Sequence, residues 1–324
     1  MPDRITQRLD FGRVASRTKT PRTPPGERAP RRMLNRQRAI LSLINEAGGA
    51  ADHRPVTKWA FILREESDSR GGSAFYQFLP YRYGPFSFCL FQEMSALARH
   101  GLLTDDNHKW VLTGAGKRAA RQAQPDVRRD VRRIVQQHSK NEPKATDKHL
   151  IDYVYERYPW YTVNSKIRKL EDRPLADPAV YTAGYEGLLV DGFIDGLLRA
   201  GIRRLIDVRN NPVSRRYGFH KSTLSRLCEK VDIEYVHFPH LGIKSRDRQD
   251  LDRDGARAAL FDDYERTTLR TEREAIDAVA QLMHEAPSVL VCMEARPCDC
   301  HRSRLANPVA ARAGLPIHHL EFRR

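Results

Sequence analysis

The sequence predicts an α/β protein with two domains: a mainly α, winged-helix-like N-terminal domain and a C-terminal domain with a Rossmann-like, mostly parallel sheet. Three observations favour this fold class. The length of 324 residues fits two domains with linkers. Helical periodicity in the first half ends in two short β-type runs around a polar turn. In the second half, apolar β-type runs alternate with helical stretches, which is typical of a parallel sheet covered by helices.

Composition narrows the class of function. The net charge of +15 favours polyanionic partners, of which nucleic acid is the commonest, and DNA is the preferred form here. No apolar run approaches the ~20 residues that cross a bilayer, and no hydrophobic stretch follows the basic N-terminus. We therefore expect no membrane partner and no secretory signal. Three of the five cysteines lie within nine residues, which indicates reduced thiols and a cytoplasmic location.

Residues 1–32 are predicted to be a disordered basic arm. They hold nine basic and three acidic residues, and the Pro- and Thr-rich stretch 17–28 has almost nothing to bury. Such an arm is expected to contact phosphates without ordering, or only to increase solubility.

Residues 33–172 are predicted to be a winged-helix-like nucleic-acid-binding domain with a helical extension. Apolar residues at helical spacing predict three helices, the second over 56–66 and the third over 87–100. Two strands within 102–113 form the predicted wing, and one more helix is expected within 145–170. Helices followed by a hairpin are typical of a winged helix, which places a helix in a DNA groove.

A basic run follows the predicted wing. Winged helices also mediate protein contacts, but basic side chains release counterions from phosphates and so favour DNA as the partner. The residues expected to contact DNA are Lys117, Arg118, Arg121, Arg128, Arg129, Arg132 and Arg133.

Residues 178–324 are predicted to be an α/β catalytic domain. Strands are expected at 180–184, 204–209, 233–238, 288–292 and 316–320, with helices at 193–200, 222–230, 256–267, 272–285 and 303–313. Ligands of such sheets bind beyond the carboxyl ends of the strands. The sequence has no Gly-rich dinucleotide fingerprint and no phosphate-binding P-loop, so no nicotinamide or ATP cofactor is expected.

Four segments of this half carry a family resemblance. They are Tyr181-Thr-Ala-Gly-Tyr-Glu-Gly, Ile206-Asp-Val-Arg-Asn-Asn-Pro, Tyr235-Val-His-Phe-Pro-His-Leu-Gly and Cys292-Met-Glu-Ala-Arg-Pro-Cys-Asp-Cys-His-Arg. Together they resemble the domain-of-unknown-function 488 family over about residues 179–321. The segment Phe78-Leu-Pro-Tyr-Arg-Tyr-Gly-Pro-Phe-Ser resembles the winged-helix-like part fused to some members. The resemblance implies a fold and candidate site residues, but no reaction.

A carboxylate site is the first hypothesis for the chemistry. Asp207 and Glu294 lie at the ends of two predicted strands and are expected to face one cleft, where a carboxylate supplies a general base or stabilises an oxocarbenium ion. Tyr185 and His301 are expected to orient or stack on a base. The residues expected to hold phosphate or substrate are Arg209, Arg302, Lys244, Asn210, Ser214 and Arg215. The alternative is that buried Asp207–Arg209 or Glu294–Arg302 ion pairs only shape the turns.

A thiol site is the rival hypothesis. Cys292 follows a buried strand, and Cys300 precedes His301 at a helix start, where a thiolate is favoured. Residues 205–209 also look like the entry strand of rhodanese-type sulfurtransferases. Only Cys298 and Arg304 have the phosphate-loop spacing, and the residues between them are not the expected glycines.

A zinc site is the third hypothesis. Its expected ligands are Cys298, Cys300 and His301, joined by His237 or His240. The spacing is not the two-pair arrangement of structural zinc sites. No metal or other cofactor is therefore predicted, and a metal requirement stays open.

These features together predict a DNA-binding protein that acts on nucleotides in DNA, in DNA repair or phage defence. Base excision of the glycosylase type is favoured over nuclease chemistry. One alternative is a winged-helix transcription regulator that senses a small anionic ligand without catalysis, and another is a thiol-dependent, rhodanese-like transferase. The sequence does not specify the target base or the oligomeric state.

Overall fold

The structure is a computed structural model that describes residues 33–247 and 255–322. The predicted basic arm, residues 1–32, lies outside the described residues. Among those described, no helix is both long and apolar enough to span a bilayer.

The N-terminal half combines helices with a small antiparallel sheet. Its first helices are α1 (Asn35–Glu46), α2 (His53–Glu66) and α3 (Phe88–Arg99), and its strands are β1 (Ala50–Asp52), β2 (Leu79–Tyr81), β3 (Gly84–Phe86), β4 (Leu103–Asp106) and β5 (Lys109–Leu112). Strands β4 and β5 form the predicted hairpin, and β1 extends it into a sheet of order β1–β5–β4. Strands β2 and β3 form a separate hairpin. The sequence did not predict β1, β2 and β3, since three residues are too few to show an alternating pattern.

Apolar stripes hold this half together. Helix α1 buries an unbroken run, Ala39 to Ile44, and Trp110 of β5 is also fully buried. The hydroxyl of Ser87 accepts a hydrogen bond from the Leu90 N–H, which fixes the start of α3. Burial of these side chains, at about 25 cal/mol per Å² of apolar surface, is the main stabilising contribution.

Three more helices complete the N-terminal half: α4 (Gly114–Arg121), α5 (Pro125–His138) and α6 (Pro143–Arg157). Helices α5 and α6 start with proline, whose fixed φ and missing N–H suit the first helical position. Helix α5 buries Val127, Val131 and Ile134 on one face. Its arginines therefore lie on the opposite, solvent-facing side.

The C-terminal half is a parallel sheet with helices between its strands. The strands are β6 (Val180–Gly184), β7 (Arg204–Asp207), β8 (Glu234–His237), β9 (Ser288–Cys292) and β10 (Ile317–Leu320). The helices are α7 (Val190–Arg199), α8 (Lys221–Glu229), α9 (Ala256–Arg266), α10 (Thr268–Thr271), α11 (Arg273–Glu285) and α12 (His301–Ala313). All neighbouring strands are parallel, so the predicted α/β class with a parallel sheet is confirmed.

The strand order places a topological switch point between β7 and β9. The order is β10–β6–β9–β7–β8. The chain therefore leaves β7 toward one edge of the sheet, to β8, and leaves β9 toward the other edge, to β10. Asp207, the last residue of β7, pairs with Val291 of β9, so the two strands end side by side. Such a reversal of direction is where ligands bind in parallel α/β sheets.

Hydrogen bonds join the two halves at the start of α3. The carboxylate of Asp191, in the first turn of α7, accepts hydrogen bonds from the Phe88 N–H at 2.5 Å and the Cys89 N–H at 3.1 Å. It also accepts one from the Ser87 hydroxyl at 3.1 Å. The N–H groups of a first helical turn have no partner within the helix. A residue of the C-terminal half thus caps a helix of the N-terminal half.

Candidate functional site

Asp207 and Arg209 form a buried ion pair at the end of β7. The Asp207 carboxylate accepts from Arg209 Nε at 2.8 Å and from Nη2 at 2.5 Å, and from the Tyr235 hydroxyl at 2.6 Å. Asp207 is fully buried, and the Asp207 carboxylate raises the pKa of Arg209 even though burial of the guanidinium opposes this rise. Both oxygens of Asp207 are occupied, so this geometry matches the turn-shaping ion pair and does not present a free base.

Tyr185 belongs to the same buried network. Its hydroxyl accepts a hydrogen bond from Arg209 Nη1 at 2.8 Å, and its ring stacks on Phe219 with centroids 4.1 Å apart. Burial raises the pKa of the Tyr185 phenol. Because Phe219 covers one face of the ring and the residue is buried, Tyr185 orients Arg209 and is not placed to stack on a base.

A second cluster, which we call the thiol–imidazole cluster, consists of Cys292, Cys300 and His301. Cys292 ends β9, Cys300 immediately precedes α12, and His301 starts that helix. His301 Nδ1 lies 3.7 Å from Cys292 Sγ and 3.9 Å from Cys300 Sγ. All three side chains are buried, and burial raises the pKa of the Cys300 thiol well above its ordinary value. A buried, protonated Cys300 thiol is a poor nucleophile.

Glu294 lies beside the thiol–imidazole cluster. Its Oε2 accepts a hydrogen bond from Cys292 Sγ at 3.2 Å, and the residue is only partly buried. Burial alone raises the pKa of this carboxyl, but hydrogen bonds from the Cys300 and Cys292 thiols outweigh it, so the pKa lies below its usual value. The carboxylate is therefore ionised at neutral pH, as a general base must be.

Arg302 holds the loop that carries Glu294. Its guanidinium is fully buried and donates to the main-chain carbonyls of Glu294 at 2.5 Å and Ala295 at 3.0 Å. Its expected ion pair with the Glu294 carboxylate is replaced by these carbonyl contacts. Gly184 adds to the constraint, because a Cβ there would lie 1.8 Å from the Glu294 carbonyl oxygen. Arg302 is placed to position this loop and not to hold a phosphate.

The remaining predicted substrate-binding residues lie outside these two clusters. The Asn210 amide donates to the Pro239 carbonyl at 3.0 Å, and the Ser214 hydroxyl contacts the Arg216 main chain. Arg215 and Lys244 are exposed. Of the predicted set, Lys244 and Arg215 are thus the cations placed to meet a ligand from solvent.

The predicted zinc ligands are not the residues that come together. Cys298 is exposed, in the short turn before α12. Cys292 lies beside Cys300 and His301 instead, where Cys298 was expected. His237 contacts the Arg209 carbonyl at 2.8 Å and Lys221 Nζ at 2.8 Å. The inclusion of Cys298 in the ligand set was wrong, because residues that are close in sequence need not be close in space. Cys292 joins Cys300 and His301 because it stands at the end of β9, close to the start of α12.

Sequence reasoning missed Tyr235 and Tyr264 as parts of the site. Tyr235 bonds to Asp207, and the ring of Tyr264 meets that of His301 edge-on, with centroids 5.4 Å apart. The Tyr264 hydroxyl donates to the Leu241 carbonyl at 2.7 Å. Tyr235 stands in one of the four family segments, so its position could have indicated a role, whereas Tyr264 lies in a helix with no such signal.

All of the basic residues predicted to bind DNA are exposed. Lys117, Arg118 and Arg121 lie on α4, and the four others lie on α5. The side chains of Arg129 and Arg132 are 68% and 66% exposed. The four arginines of α5 line one surface groove together with Pro125, Gln136 and Gln137. We call this surface the arginine face.

Comparison with known proteins identifies the C-terminal half. Residues 190–309 match the family described as Domain of unknown function DUF488. This match confirms the family expected for that half, and the N-terminal segment lies outside it. No curated protein and no solved structure matches the chain.

Proposed function

We propose that this chain, whose residues 190–309 are a DUF488 domain, binds nucleic acid through its arginine face and hydrolyses a bond of the bound nucleotide beside Glu294. The exposed guanidinium groups of α5 carry the first part of the proposal, and the ionised Glu294 carboxylate supports the second. DNA is the expected form of nucleic acid, and base excision in DNA repair or phage defence is the expected role.

The arginine face supports binding to phosphates. Arg129 has a carboxylate neighbour, Asp130, at 3.6 Å, and Arg132 has Glu46 at 3.3 Å. Both guanidinium groups stay exposed at 3.3 Å or more from these carboxylates, so they are open to a phosphate that arrives from solvent. Each phosphate that the protein neutralises releases counterions, which favours binding and makes it dependent on salt.

Helix α3, the expected recognition helix, is less suited to contact DNA than the arginine face is. We propose that α1 to β5 are a winged helix, in which α3 holds the position of the recognition helix. The recognition helix contacts bases with its N-terminal residues. In α3 these residues are buried and bonded to Asp191. Binding is therefore expected to depend on the backbone more than on base sequence.

In the proposed hydrolysis, Glu294 is the one carboxylate that acts as general base. In base excision it takes a proton from a water molecule, the water oxygen bonds to the sugar C1′, and the bond from C1′ to the base breaks. The base leaves with the electron pair and takes up a proton, so an abasic sugar and a free base result. Asp207 is bonded on both oxygens and serves structure in this proposal.

We also propose a cytosolic location, as all five cysteines are free. Four of them are buried and one is exposed. Unpaired thiols persist best in a reducing compartment.

Binding is tested by fluorescence anisotropy of the full chain with labelled duplex DNA over a series of salt concentrations. Arg129→Gln combined with Arg132→Gln is expected to weaken binding. The slope of log K against log salt should also become shallower, by about 0.9 for each phosphate that the variant no longer neutralises. The matched control is Arg266→Gln, because Arg266 on α9 is 69% exposed and lies 3.7 Å from Asp263. Equal binding by the double variant and the control would contradict the arginine face as the binding surface.

A further inference from the structure

Three potential metal ligands converge in the thiol–imidazole cluster. Cys292 Sγ, Cys300 Sγ and a ring nitrogen of His301 all lie within 4.8 Å of one another. The residues come from the end of β9 and the start of α12, so they are held by two different elements. Regular secondary structure on both sides keeps the three atoms in place.

The two nitrogen–sulfur distances are close to those of a tetrahedral zinc site. Zinc lies ~2.3 Å from a thiolate sulfur and ~2.0–2.1 Å from an imidazole nitrogen. Two such ligands at a tetrahedral angle are separated by about 3.6 Å, which follows from these bond lengths. The observed separations between His301 Nδ1 and the two sulfurs are 3.7 and 3.9 Å. The two nitrogen–sulfur separations therefore differ from those of a zinc site by a few tenths of an ångström.

His301 is oriented as a zinc-binding histidine is. Its Nε2 lies 3.2 Å from the Val208 carbonyl oxygen, which can only accept, so Nε2 carries the proton. Nδ1 then presents its lone pair to both thiols. Metal-binding histidines commonly donate their other N–H to a backbone carbonyl in this way.

A hydrogen-bonded cluster without metal explains this arrangement less well. Without a metal, the Cys292 thiol donates to Glu294, and the Cys300 sulfur lies 3.9 Å from Nδ1, which is long for a hydrogen bond. The thiols also lie at the N-terminal end of α12, a 13-residue helix whose dipole favours negative charge there. Two thiolates and one neutral imidazole satisfy both features, provided that a cation lies between them.

We propose that Cys292, Cys300 and His301 bind one zinc ion and that water or substrate takes its fourth position. Two thiolate ligands select zinc over magnesium, calcium or manganese. Glu294 contacts Cys292 and is partly exposed, so its carboxylate lies next to the three ligands and is placed to meet the fourth, exchangeable ligand. Three protein ligands and an exchangeable fourth are the arrangement of catalytic zinc. The proposal that the site binds metal does not depend on the proposed function. The use of the metal in hydrolysis, in which Glu294 takes a proton from the bound water, rests on the proposed function.

The first test is the zinc content of the purified full chain, measured by plasma mass spectrometry. Zinc equimolar with protein is expected in the natural chain, and Cys292→Ser and His301→Ala should lose it. Cys298→Ser and Cys228→Ser should keep it, because they remove an exposed and a buried thiol outside the cluster. Absence of zinc from the natural chain, or its retention by both cluster variants, would overturn the site.

The second test needs no substitution, which matters because a change in a buried cluster can prevent folding. The natural chain with cobalt(II) in place of zinc should show thiolate-to-cobalt charge-transfer absorption, and azide should alter its visible bands by taking the fourth position. Absence of the charge-transfer absorption would overturn the metal site. Visible bands that azide leaves unchanged would overturn the exchangeable position.

The two proposals fail in different ways. Zinc present in a chain that cleaves no nucleic acid would refute hydrolysis and support the metal site. Hydrolysis by a chain stripped of zinc would support the proposed function and refute the use of the metal in hydrolysis, while the zinc content and the cobalt spectrum would still decide whether the site binds metal.

Discussion

At the scale of single residues, Asp207 and Arg209 were predicted to act on the substrate, but they form a buried ion pair that supports the structure around the site. The two side chains neutralise each other in the protein interior, and Tyr185 and Tyr235 complete their hydrogen bonds. Removing one partner of a buried ion pair leaves the other charge without compensation. The pair is therefore expected to matter for stability first.

Asp207→Asn is expected to lower the free energy of unfolding by about 3 kcal/mol or more, because Arg209 would keep its buried charge without a carboxylate. Urea unfolding followed by circular dichroism measures the change. Tyr235→Phe is the matched comparison: it removes one hydrogen bond to the same carboxylate and should cost about 1–2 kcal/mol. A stable Asp207→Asn chain that lacks only activity would instead make Asp207 a catalytic residue.

At the scale of elements, the start of α3 depends on a residue distant in sequence. Ser87 supplies the local cap, but the first N–H groups of the helix bond to Asp191 on α7. Ser87 therefore marks where α3 begins, and the carboxylate of Asp191 accepts the hydrogen bonds of the remaining N–H groups at that end. The same contact ties the helix to the C-terminal half.

Asp191→Ala is expected to destabilise the chain by about 2 kcal/mol, since it leaves buried N–H groups of α3 without an acceptor. Thermal and urea unfolding of the full chain measure this destabilisation. Asp263→Ala, at an exposed position of α9, is the control and should change stability by about 0.5 kcal/mol or less. Equal stability of the two variants would contradict the capping role of Asp191.

At the scale of the whole molecule, the elements were more predictable than the contacts between them. The order of strands and helices from residue 180 onward follows from alternating apolar runs, and the structure confirms each of those strands within a few residues. The position of β9 between β6 and β7 is a property of the sheet and not of any local segment. For that reason the sequence marked Cys292, Cys298 and Cys300 alike, whereas the sheet selects Cys292 and Cys300.

The central claim, hydrolysis on bound nucleic acid beside Glu294, is tested most directly by product analysis. The full chain is incubated with labelled single- and double-stranded DNA, including damaged bases, with and without EDTA, and half of each reaction receives alkali before a denaturing gel. We expect breaks that appear only after alkali. Glu294→Gln should abolish them with binding within a few-fold, while Glu229→Gln at an exposed position of α8 should leave them unchanged. Direct breaks that EDTA prevents would contradict base excision in favour of a nuclease, and intact DNA in every reaction would contradict hydrolysis altogether.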